Sequence, residues 1–507
     1  MNILSFLISP EGLGVIVSLA VSAWVAYLLI KKYKPQPVLF LGGITLLLLV
    51  ILINVIWGES TQIIGNPNLP PEHILNRIKT LNNPFLDIFA SIEGLFSNRL
   101  AGLGIIIMSV MGFVKYMDAI GANKALVRVG VKPLQFIKSP YIVIVFAFLL
   151  GMAMKMAITS AAGLGVLLMA TMFPIMLKLG VSRLTATAVI ATTGCIDLGP
   201  ASGTGIAIVQ AAGLLTSAGK ADMATYFIKY QLPVALPVIA TVAILHFFVQ
   251  RWFDNKEGYV YQPNQTTETN SDDNDELKAP QFYAILPTIP LFLVLIFNET
   301  VIIEFNKLLV YLGSTVVIPP KTIGLVAAIF LSLFVTMLIE FFRSFDAKKV
   351  FDSIQTMFDG MGVAFATIIT LIIAGETFAS GLLSTGSINT MLDFAKDAGA
   401  GIIPITLFMQ GLIAVASILM GSGDAAIFSF LSVGTVVAEH FNAESIAVLM
   451  PMQITSSLAR SFSPITAVVV AVSAIAGISP VEVVKRTAIP MIGGIIVLTI
   501  VNIVLFL

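Results

Sequence analysis

Charged side chains are scarce in this sequence. Lysine, arginine, aspartate and glutamate make up 11% of the 507 residues, whereas about 25% is usual in soluble domains. The formal net charge is zero, so no basic excess points to a nucleic-acid partner. Hydrophobic residues account for 57% of the chain. The composition therefore predicts an all-α polytopic protein of the lipid bilayer.

Cysteine and histidine are also scarce. Cys195 is the single cysteine, which excludes an internal disulfide and is consistent with a bacterial inner membrane. The three histidines lie far apart, and no metal-ligand spacing, nucleophile elbow or phosphate-binding loop is present. We therefore expect no metal centre, no cofactor and no enzyme activity. Residues 1–12 lack the features of a cleaved signal peptide, so we expect the first apolar run to be retained.

Long apolar runs divide the chain into two similar halves. Their lengths predict about ten transmembrane helices and two re-entrant hairpins, since a span needs about 20 apolar residues. The first half, 1–250, holds spans at 11–30, 37–57 and 100–118, a hairpin at 139–178, a broken helix at 182–216 and a span at 224–250. A polar cytoplasmic linker follows at 251–280. The second half, 281–507, holds spans at 281–298, 322–342 and 359–381, a hairpin at 403–440, a broken helix at 445–478 and a last span at 487–507.

The two halves match at their helix breaks. Ser160 precedes Ser422, and Pro200 precedes Pro464, at a nearly constant separation. Five complete spans per half make the second half enter the membrane from the opposite side, which predicts inverted repeats. Amphipathic stretches at 84–98 and 347–358 predict helices in the interface plane.

The distribution of basic residues predicts the orientation. With the N-terminus outside, the cytoplasmic side collects more than twice as many lysines and arginines as the other side, in agreement with the positive-inside rule. The number of spans then places the C-terminus outside as well. We therefore expect both termini in the periplasm.

Two polar stretches interrupt the apolar sequence of the second half. Residues 420–428 read M-G-S-G-D-A-A-I-F, and residues 455–468 read T-S-S-L-A-R-S-F-S-P-I-T-A-V. Non-helical backbone at membrane depth occurs only where protein or a water-filled cavity satisfies it. We interpret the first stretch as a hairpin tip and the second as the break of a discontinuous helix; kinked but continuous spans are the alternative.

Such breaks favour binding of a small anion. Half-helix N-termini carry a partial positive charge and direct N–H groups at the gap. Small residues there also serve close helix packing in membranes, which is the alternative explanation. The candidate substrate-binding residues are Lys155, Ser160, Gly163, Pro200, Ser202, Gly203, Thr204, Gly421, Ser422, Gly423, Ser457, Arg460, Ser463 and Pro464.

Four charged residues at these breaks are the sharpest candidates. Arg460 presents a planar fork that matches a carboxylate, or alternatively forms a structural ion pair with Asp197. Lys155 is either a second cation of the site or a snorkelling lysine. Asp197 and Asp424 are candidates for the coupling ion, Na⁺ or H⁺, and Asp424 could instead cap a helix.

Several motifs resemble the DcuC/DcuD-type anaerobic C4-dicarboxylate transporters from about Lys31 to the C-terminus. They are I-T-S-A-A-G-L-G-V-L-L-M-A-T, G-V-S-R-L-T-A-T-A-V-I-A-T-T, H-F-F-V-Q-R, L-M-G-S-G-D-A, L-A-R-S-F-S-P-I-T-A-V-V-V and V-V-K-R-T-A-I-P. In the resemblance, the family's G-S-G tip falls on Gly421–Gly423, and its L-(A/G)-R…S-P break falls on Leu458–Arg460, Ser463 and Pro464. Asp424 stands where the family commonly has Asn, and Lys155 where an uncharged residue is usual. These two charges either compensate each other or select a zwitterion such as aspartate.

The resemblance implies a secondary active carrier of succinate, fumarate, malate or aspartate, working by uptake, efflux or exchange. By analogy with elevator-type ion transporters it also implies a homodimer with a moving substrate domain. We expect the substrate between the two hairpin tips and the two broken helices. The alternatives are a carrier of amino acids or peptides and a Na⁺/H⁺ antiporter.

Overall fold

The computed structural model describes residues 9–58, 61–66, 74–137, 139–216, 221–259, 279–312, 316–319 and 323–507. Helices dominate these ranges, and the predicted all-α polytopic fold is confirmed. Most of the predicted linker, 260–278, lies outside the described residues. The helices are α1 (Pro10–Ile30), α2 (Pro35–Trp57), α3 (Pro84–Ala119), α4 (Ala122–Val131), α5 (Pro140–Lys155), α6 (Ala161–Lys178), α7 (Arg183–Thr192), α8 (Gly203–Ala211), α9 (Met223–Lys256), α10 (Gln281–Ile296), α11 (Glu299–Tyr311), α12 (Leu325–Ser344), α13 (Ala347–Ser384), α14 (Ser387–Asp397), α15 (Ile402–Met420), α16 (Gly423–His440), α17 (Ser445–Arg460), α18 (Ala467–Ala476) and α19 (Pro480–Phe506).

Nine helices in the described ranges are long and apolar enough to cross a membrane. They are α1, α2, α3, α6, α9, α12, α13, α15 and α19. The count reaches 10 when α10 and the following Val301–Tyr311, which are bent by 70°, are taken as one span. Helices α6 and α15 belong to the two predicted hairpins. The segments of the two predicted broken helices are each too short to be counted as a span.

Both predicted hairpins are present. Helices α5 and α6 pack against each other and are separated by residues 156–160. Helices α15 and α16 also pack together, and Gly421 and Ser422 form their tip. Gly421 has a φ of 63°, a left-handed conformation that glycine adopts without strain. Ser160 and Ser422 begin the second arm of each hairpin as its N-cap.

Both predicted broken helices are interrupted as well. Residues 193–202 separate α7 from α8, and residues 461–466 separate α17 from α18. In the first break Gly199 has a φ of 101° and is followed by Pro200, which has no N–H for a helical hydrogen bond. Pro464 lies in the second break. The alternative of kinked but continuous spans is therefore wrong at these positions.

The predicted interfacial helices at 84–98 and 347–358 are not separate elements. Each continues into the next span, so that Pro84–Ala119 and Ala347–Ser384 are single long helices. The junctions are π-helical turns at Leu100–Gly104 and Phe365–Ile369. A π turn keeps the backbone hydrogen-bonded while it rotates the polar face, so the change in amphipathicity did not require a break. Helices are therefore present at 84–98 and 347–358, and their position in the interface plane stays a prediction.

The chain forms two compact units that combine segments of both sequence halves. Unit 1 comprises Met1–Ile105, Phe365–Ser456 and Asn502–Leu507, and unit 2 comprises Ile106–Ala364 and Ser457–Val501. This is a division by packing, whereas the boundaries predicted at 1–250, 251–280 and 281–507 concern repetition along the chain and stay a prediction.

Close helix packing through glycine characterises unit 1. A Cβ atom on Gly43 of α2 would lie 2.5 Å from the carbonyl oxygen of Thr377 in α13. One on Gly375 of α13 would lie 2.5 Å from the carbonyl oxygen of Phe428 in α16. A partly buried ion pair adds to this packing, since Arg99 Nε lies 2.7 Å from a carboxylate oxygen of Glu376. Helix α13 is thereby held between α2 and α16.

Unit 2 contains an ion network centred on the buried Arg486. Its guanidinium lies 2.6 Å from Asp254 and 2.5 Å from Glu257, and it donates to the Thr185 hydroxyl over 2.7 Å. Asp254 also accepts from Ser182, the N-cap of α7. These bonds join α19 and the end of α9 to the start of the first broken helix.

Candidate substrate site

Three charged residues of unit 2 meet at the breaks. Lys155 Nζ lies 2.8 Å from Asp197 Oδ1, and Arg460 Nη2 lies 3.2 Å from the same oxygen. The exposed fraction of the side chain is 3% for Lys155, 11% for Asp197 and 13% for Arg460. Because Lys155 is buried and paired, it is a cation of this cluster and does not snorkel. The ion pair of Arg460 with Asp197, which the sequence analysis gave as the alternative to substrate contact, is also formed. Substrate contact by Arg460 stays a prediction.

Helix ends place these charges. Lys155 is the last residue of α5, Arg460 is the last residue of α17, and Asp197 lies in the break between α7 and α8. A cation at a helix C-terminus is stabilised by the partial negative charge of the last carbonyl groups. Lys155 also donates to the Thr159 carbonyl, and Arg460 donates to the Gly194 carbonyl over 3.3 Å. Both cations therefore bind unwound backbone in addition to the carboxylate.

The second carboxylate oxygen of Asp197 faces hydroxyl groups. Thr204 Oγ1 and Ser457 Oγ each lie 3.4 Å from Asp197 Oδ2. Ser202 Oγ lies 3.1 Å from Thr204 Oγ1. The cluster thus combines two cations, one carboxylate and three hydroxyls from both broken helices.

The formal charge of the three ionised residues is positive. Lys155 and Arg460 contribute two positive charges and Asp197 one negative charge. Ammonium and guanidinium groups carry several N–H donors, so two cations that share one carboxylate oxygen can each donate to a further carboxylate. The arrangement is therefore suited to a carboxylate ligand.

Serine hydroxyls at the two hairpin tips and in the first break act as helix caps. Ser160 Oγ accepts from Gly163 N over 3.1 Å, and Ser202 Oγ accepts from Gly205 N over 3.0 Å. Ser422 Oγ accepts from Ala425 N over 3.2 Å. The capping role predicted as an alternative for Asp424 therefore belongs to Ser422, and Asp424 lies in the first turn of α16.

The other predicted residues of unit 2 lie in the same breaks. Pro200 lines a small space together with Thr159 and Met156 of the first hairpin, which brings the hairpin tip against the first break. Gly203 begins α8. Ser463 is buried in the second break, and its N–H donates to the Arg460 carbonyl over 3.0 Å. Pro464 follows it and is partly exposed.

The predicted residues of the second tip belong to unit 1. They are Gly421, Ser422, Gly423 and Asp424. The hypothesis that both hairpin tips enclose the substrate stays a prediction. Within the described residues, no group of three or more His, Cys, Asp or Glu side chains is arranged to hold a metal ion.

Three contributors to the site were not predicted. Gln231 in α9 bonds the backbone of the first break, while Thr159 and Gly194 supply carbonyls to Lys155 and Arg460. Gln231 stands in the stretch K-Y-Q-L-P at 229–233, which carries no signal of this contact. Backbone carbonyls leave no trace in the side-chain pattern.

The fold defines a class of protein. Helices interrupted at membrane depth around buried charges are typical of secondary transporters. Two solved structures share the fold at 14% identity. MtrF of Neisseria gonorrhoeae, described among a class of antimetabolite efflux pumps, matches with a TM-score of 0.58 over 94% of this chain and 95% of its own. The YdaH transporter of Alcanivorax borkumensis, described as having an unusual topology, matches with a TM-score of 0.56 over 92% and 98%.

Sequence relatives identify the family. The family model DcuC, described as C4-dicarboxylate anaerobic carrier, matches residues 13–507. The probable anaerobic C4-dicarboxylate transporter DcuC of Vibrio cholerae serotype O1 is 34% identical over 97% of this chain and 98% of its own. The anaerobic C4-dicarboxylate transporter DcuC of Escherichia coli K12 is 33% identical over 96% and 94%. The chain belongs to the DcuC family. It is a multi-pass membrane transporter and not an enzyme, as predicted.

Proposed function

We propose that this protein is a secondary active carrier of C4-dicarboxylates such as succinate, fumarate, malate and aspartate across the bacterial inner membrane. The names of its relatives support dicarboxylates as the substrate class. The carrier works by cation-coupled symport or by dicarboxylate exchange. Access alternates by an elevator-like movement in a homodimer, as the analogy with elevator-type carriers implies.

The observation that carries this proposal is the excess positive charge of Lys155 and Arg460 over Asp197. A dicarboxylate brings two negative charges, and Arg460 can hold one carboxylate through its planar fork. The hydroxyls of Ser202, Thr204 and Ser457 lie beside Asp197 and provide further hydrogen-bond donors. In a site shielded from water, hydrogen bonds between these donors and the substrate thereby take the place of hydrogen bonds to water.

The coupling ion, Na⁺ or H⁺, is assigned to Asp424 in preference to Asp197. Two side-chain cations already lie within 3.2 Å of Asp197 Oδ1, and they oppose binding of a third cation there. Asp424 lies in the first turn of α16, beside the glycines of the second tip. Uptake measured with and without Na⁺, and across a pH gradient, distinguishes the two ions.

Arg460→Ala tests the substrate site in proteoliposomes. We expect uptake of labelled succinate at subsaturating concentration to fall by at least about 30-fold, because truncating one partner of a buried charge pair costs 2 kcal/mol or more. Arg460→Lys keeps the charge but not the fork and is expected to be intermediate. Arg128→Ala, which removes an exposed arginine of α4, is the matched control and should transport normally.

The same assay separates the rival functions. Thermal unfolding in detergent must show that Arg460→Ala is folded, and full uptake by that folded variant removes Arg460 from the site. Competition by amino acids or peptides, but not by fumarate, would indicate the first rival substrate class. Cation-driven pH changes without any organic substrate would indicate a Na⁺/H⁺ antiporter.

A further inference from the structure

Gln231 holds the unwound segment of the first broken helix at two points. Its side chain is fully buried in α9. Its Nε2 donates to the carbonyl of Asp197 over 2.9 Å, and its Oε1 accepts from the N–H of Gly199 over 3.0 Å. One amide therefore satisfies a donor and an acceptor of the break, two residues apart.

The break needs such a partner because its backbone has left the helical pattern. Some of its groups bond locally, as Cys195 N does to Thr192 O and Ser202 N to Gly199 O. At membrane depth, backbone groups without partners are strongly disfavoured. Gly199, in its left-handed conformation, turns its N–H to Gln231 instead.

The bonds of Gln231 also determine where the Asp197 side chain lies. The carbonyl of Asp197 is held by Gln231, while its carboxylate is held by Lys155 and Arg460. Gln231 ends the π-helical turn Tyr226–Gln231 inside α9. Such turns are rare and are frequent at functional sites, because they rotate one side chain out of the regular helical register.

We propose that Gln231 is a positioning residue of the substrate site. It bonds the backbone of Asp197 and Gly199. These bonds hold the carboxylate of Asp197 within ion-pair distance of Lys155 and Arg460. This inference rests on the proposed function only in that the site it positions is the dicarboxylate site. Loss of the two hydrogen bonds of Gln231 displaces the charges that recognise the substrate, so it weakens substrate binding more than it slows turnover.

Gln231→Met tests the proposal because it keeps the size of the side chain and removes both hydrogen bonds. We expect KM for succinate to rise about tenfold, the equivalent of about one lost hydrogen bond, with a much smaller change in kcat. Gln250→Met is the matched control. Gln250 is also fully buried in α9 and also donates to a backbone carbonyl, that of Arg486 over 3.0 Å. This control should lose stability without a rise in KM.

Cys195 reports on the break without any transport. It is the single cysteine of the chain, it is fully buried, and it precedes Asp197 by two residues. We expect N-ethylmaleimide to label Cys195 faster in Gln231→Met than in the wild type, and at the wild-type rate in Gln250→Met. Labelling is measured well below the unfolding temperature of each variant, with Cys195→Ser as the blank.

The outcomes separate the two proposals. If the wild type transports no dicarboxylate, the proposed function fails, while Cys195 labelling still tests whether Gln231 holds the first break. Wild-type KM or wild-type labelling in Gln231→Met overturns the positioning role of Gln231, and so does an equal effect of Gln250→Met. Gln231→Glu keeps the size and an acceptor oxygen, so it replaces the Met variant if that one does not fold. Unchanged labelling in Gln231→Glu would then overturn the proposal.

Discussion

The carboxylate of Asp197 is shared by two cations that come from different helices. Lys155 is the closer cation, and Arg460 is also bound to the Gly194 carbonyl. Removal of the carboxylate leaves two positive charges side by side, whereas removal of Lys155 leaves one ion pair intact. The three residues are therefore not equivalent in the stability of the fold.

Substitution of Lys155 and Asp197 should show this asymmetry. We expect Asp197→Asn to lower the free energy of unfolding by about 3–5 kcal/mol, as breaking a buried ion pair does, and Lys155→Met to lower it less. The double variant keeps the single excess positive charge of the wild type, through Arg460. It should therefore be more stable than Asp197→Asn alone.

Unfolding in detergent, followed by heat or denaturant for the two single variants and the double variant, measures this coupling. A coupling energy of about 0.5–3 kcal/mol is expected for residues in one network. Additive effects of the two substitutions would show that Lys155 and Asp197 do not stabilise each other. Arg460 is left unchanged throughout, so its own contribution cancels.

At the scale of helices, glycine determines how closely α13 is packed. Gly375 has no room for a side chain, since its Cβ would lie 2.5 Å from the Phe428 carbonyl oxygen. Gly362 lies in the same helix and has no atom within 4 Å of its Cβ position. The pair allows one substitution to be compared in a packed and an open environment.

Alanine should have opposite effects at these two positions. Gly362→Ala is expected to raise the free energy of unfolding by about 0.5–1 kcal/mol, because it removes backbone freedom from the unfolded chain. Gly375→Ala is expected to lower it by about 1–3 kcal/mol, because α13 must move away from α16. Thermal unfolding of both variants in one detergent checks this. Stabilisation by both would mean that α16 adjusts without cost.

At the scale of the whole molecule, the units and the sequence halves do not coincide. The chain changes from one unit to the other at 105/106, 364/365, 456/457 and 501/502, and each position lies inside a helix. Repetition along the sequence therefore does not reveal which segments pack together. The predicted inverted orientation of the halves needs a separate test.

Lys34 and Lys396 provide reporters for that orientation. Lys34 follows the C-terminal end of α1, and Lys396 lies in the last turn of α14. The 21 residues of α1 span about 30 Å, enough to cross the hydrocarbon core. With the N-terminus outside and the spans as predicted from the sequence, we expect Lys34 in the cytoplasm and Lys396 outside.

Cysteine labelling of cells that express the protein tests this orientation. In a Cys195→Ser background, Lys396→Cys should react with an impermeant maleimide in spheroplasts, and Lys34→Cys should react only after permeabilisation. Both positions are exposed, so each should react once the membrane is opened. The reverse pattern would invert the predicted topology, and reaction of both in intact spheroplasts would contradict the predicted number of crossings.

The sequence by itself determined the membrane class, the family, the two hairpins and the two broken helices. The membrane class follows from the length of the apolar runs, and the hairpins and breaks follow from Gly, Ser and Pro within those runs. The family follows from short motifs. Each of these signals is local in the chain. The sequence also singled out Asp197 and Arg460, because a charge among apolar residues is conspicuous.

Only the tertiary structure decided which of these residues meet. It paired Lys155 with Asp197, gave the tip serines their role as caps, joined the amphipathic stretches to the following spans, and brought Gln231 to the first break. Each of these contacts depends on the distance between residues that are remote in the chain or on backbone atoms that every residue carries. The order of side chains along the sequence does not encode either quantity directly.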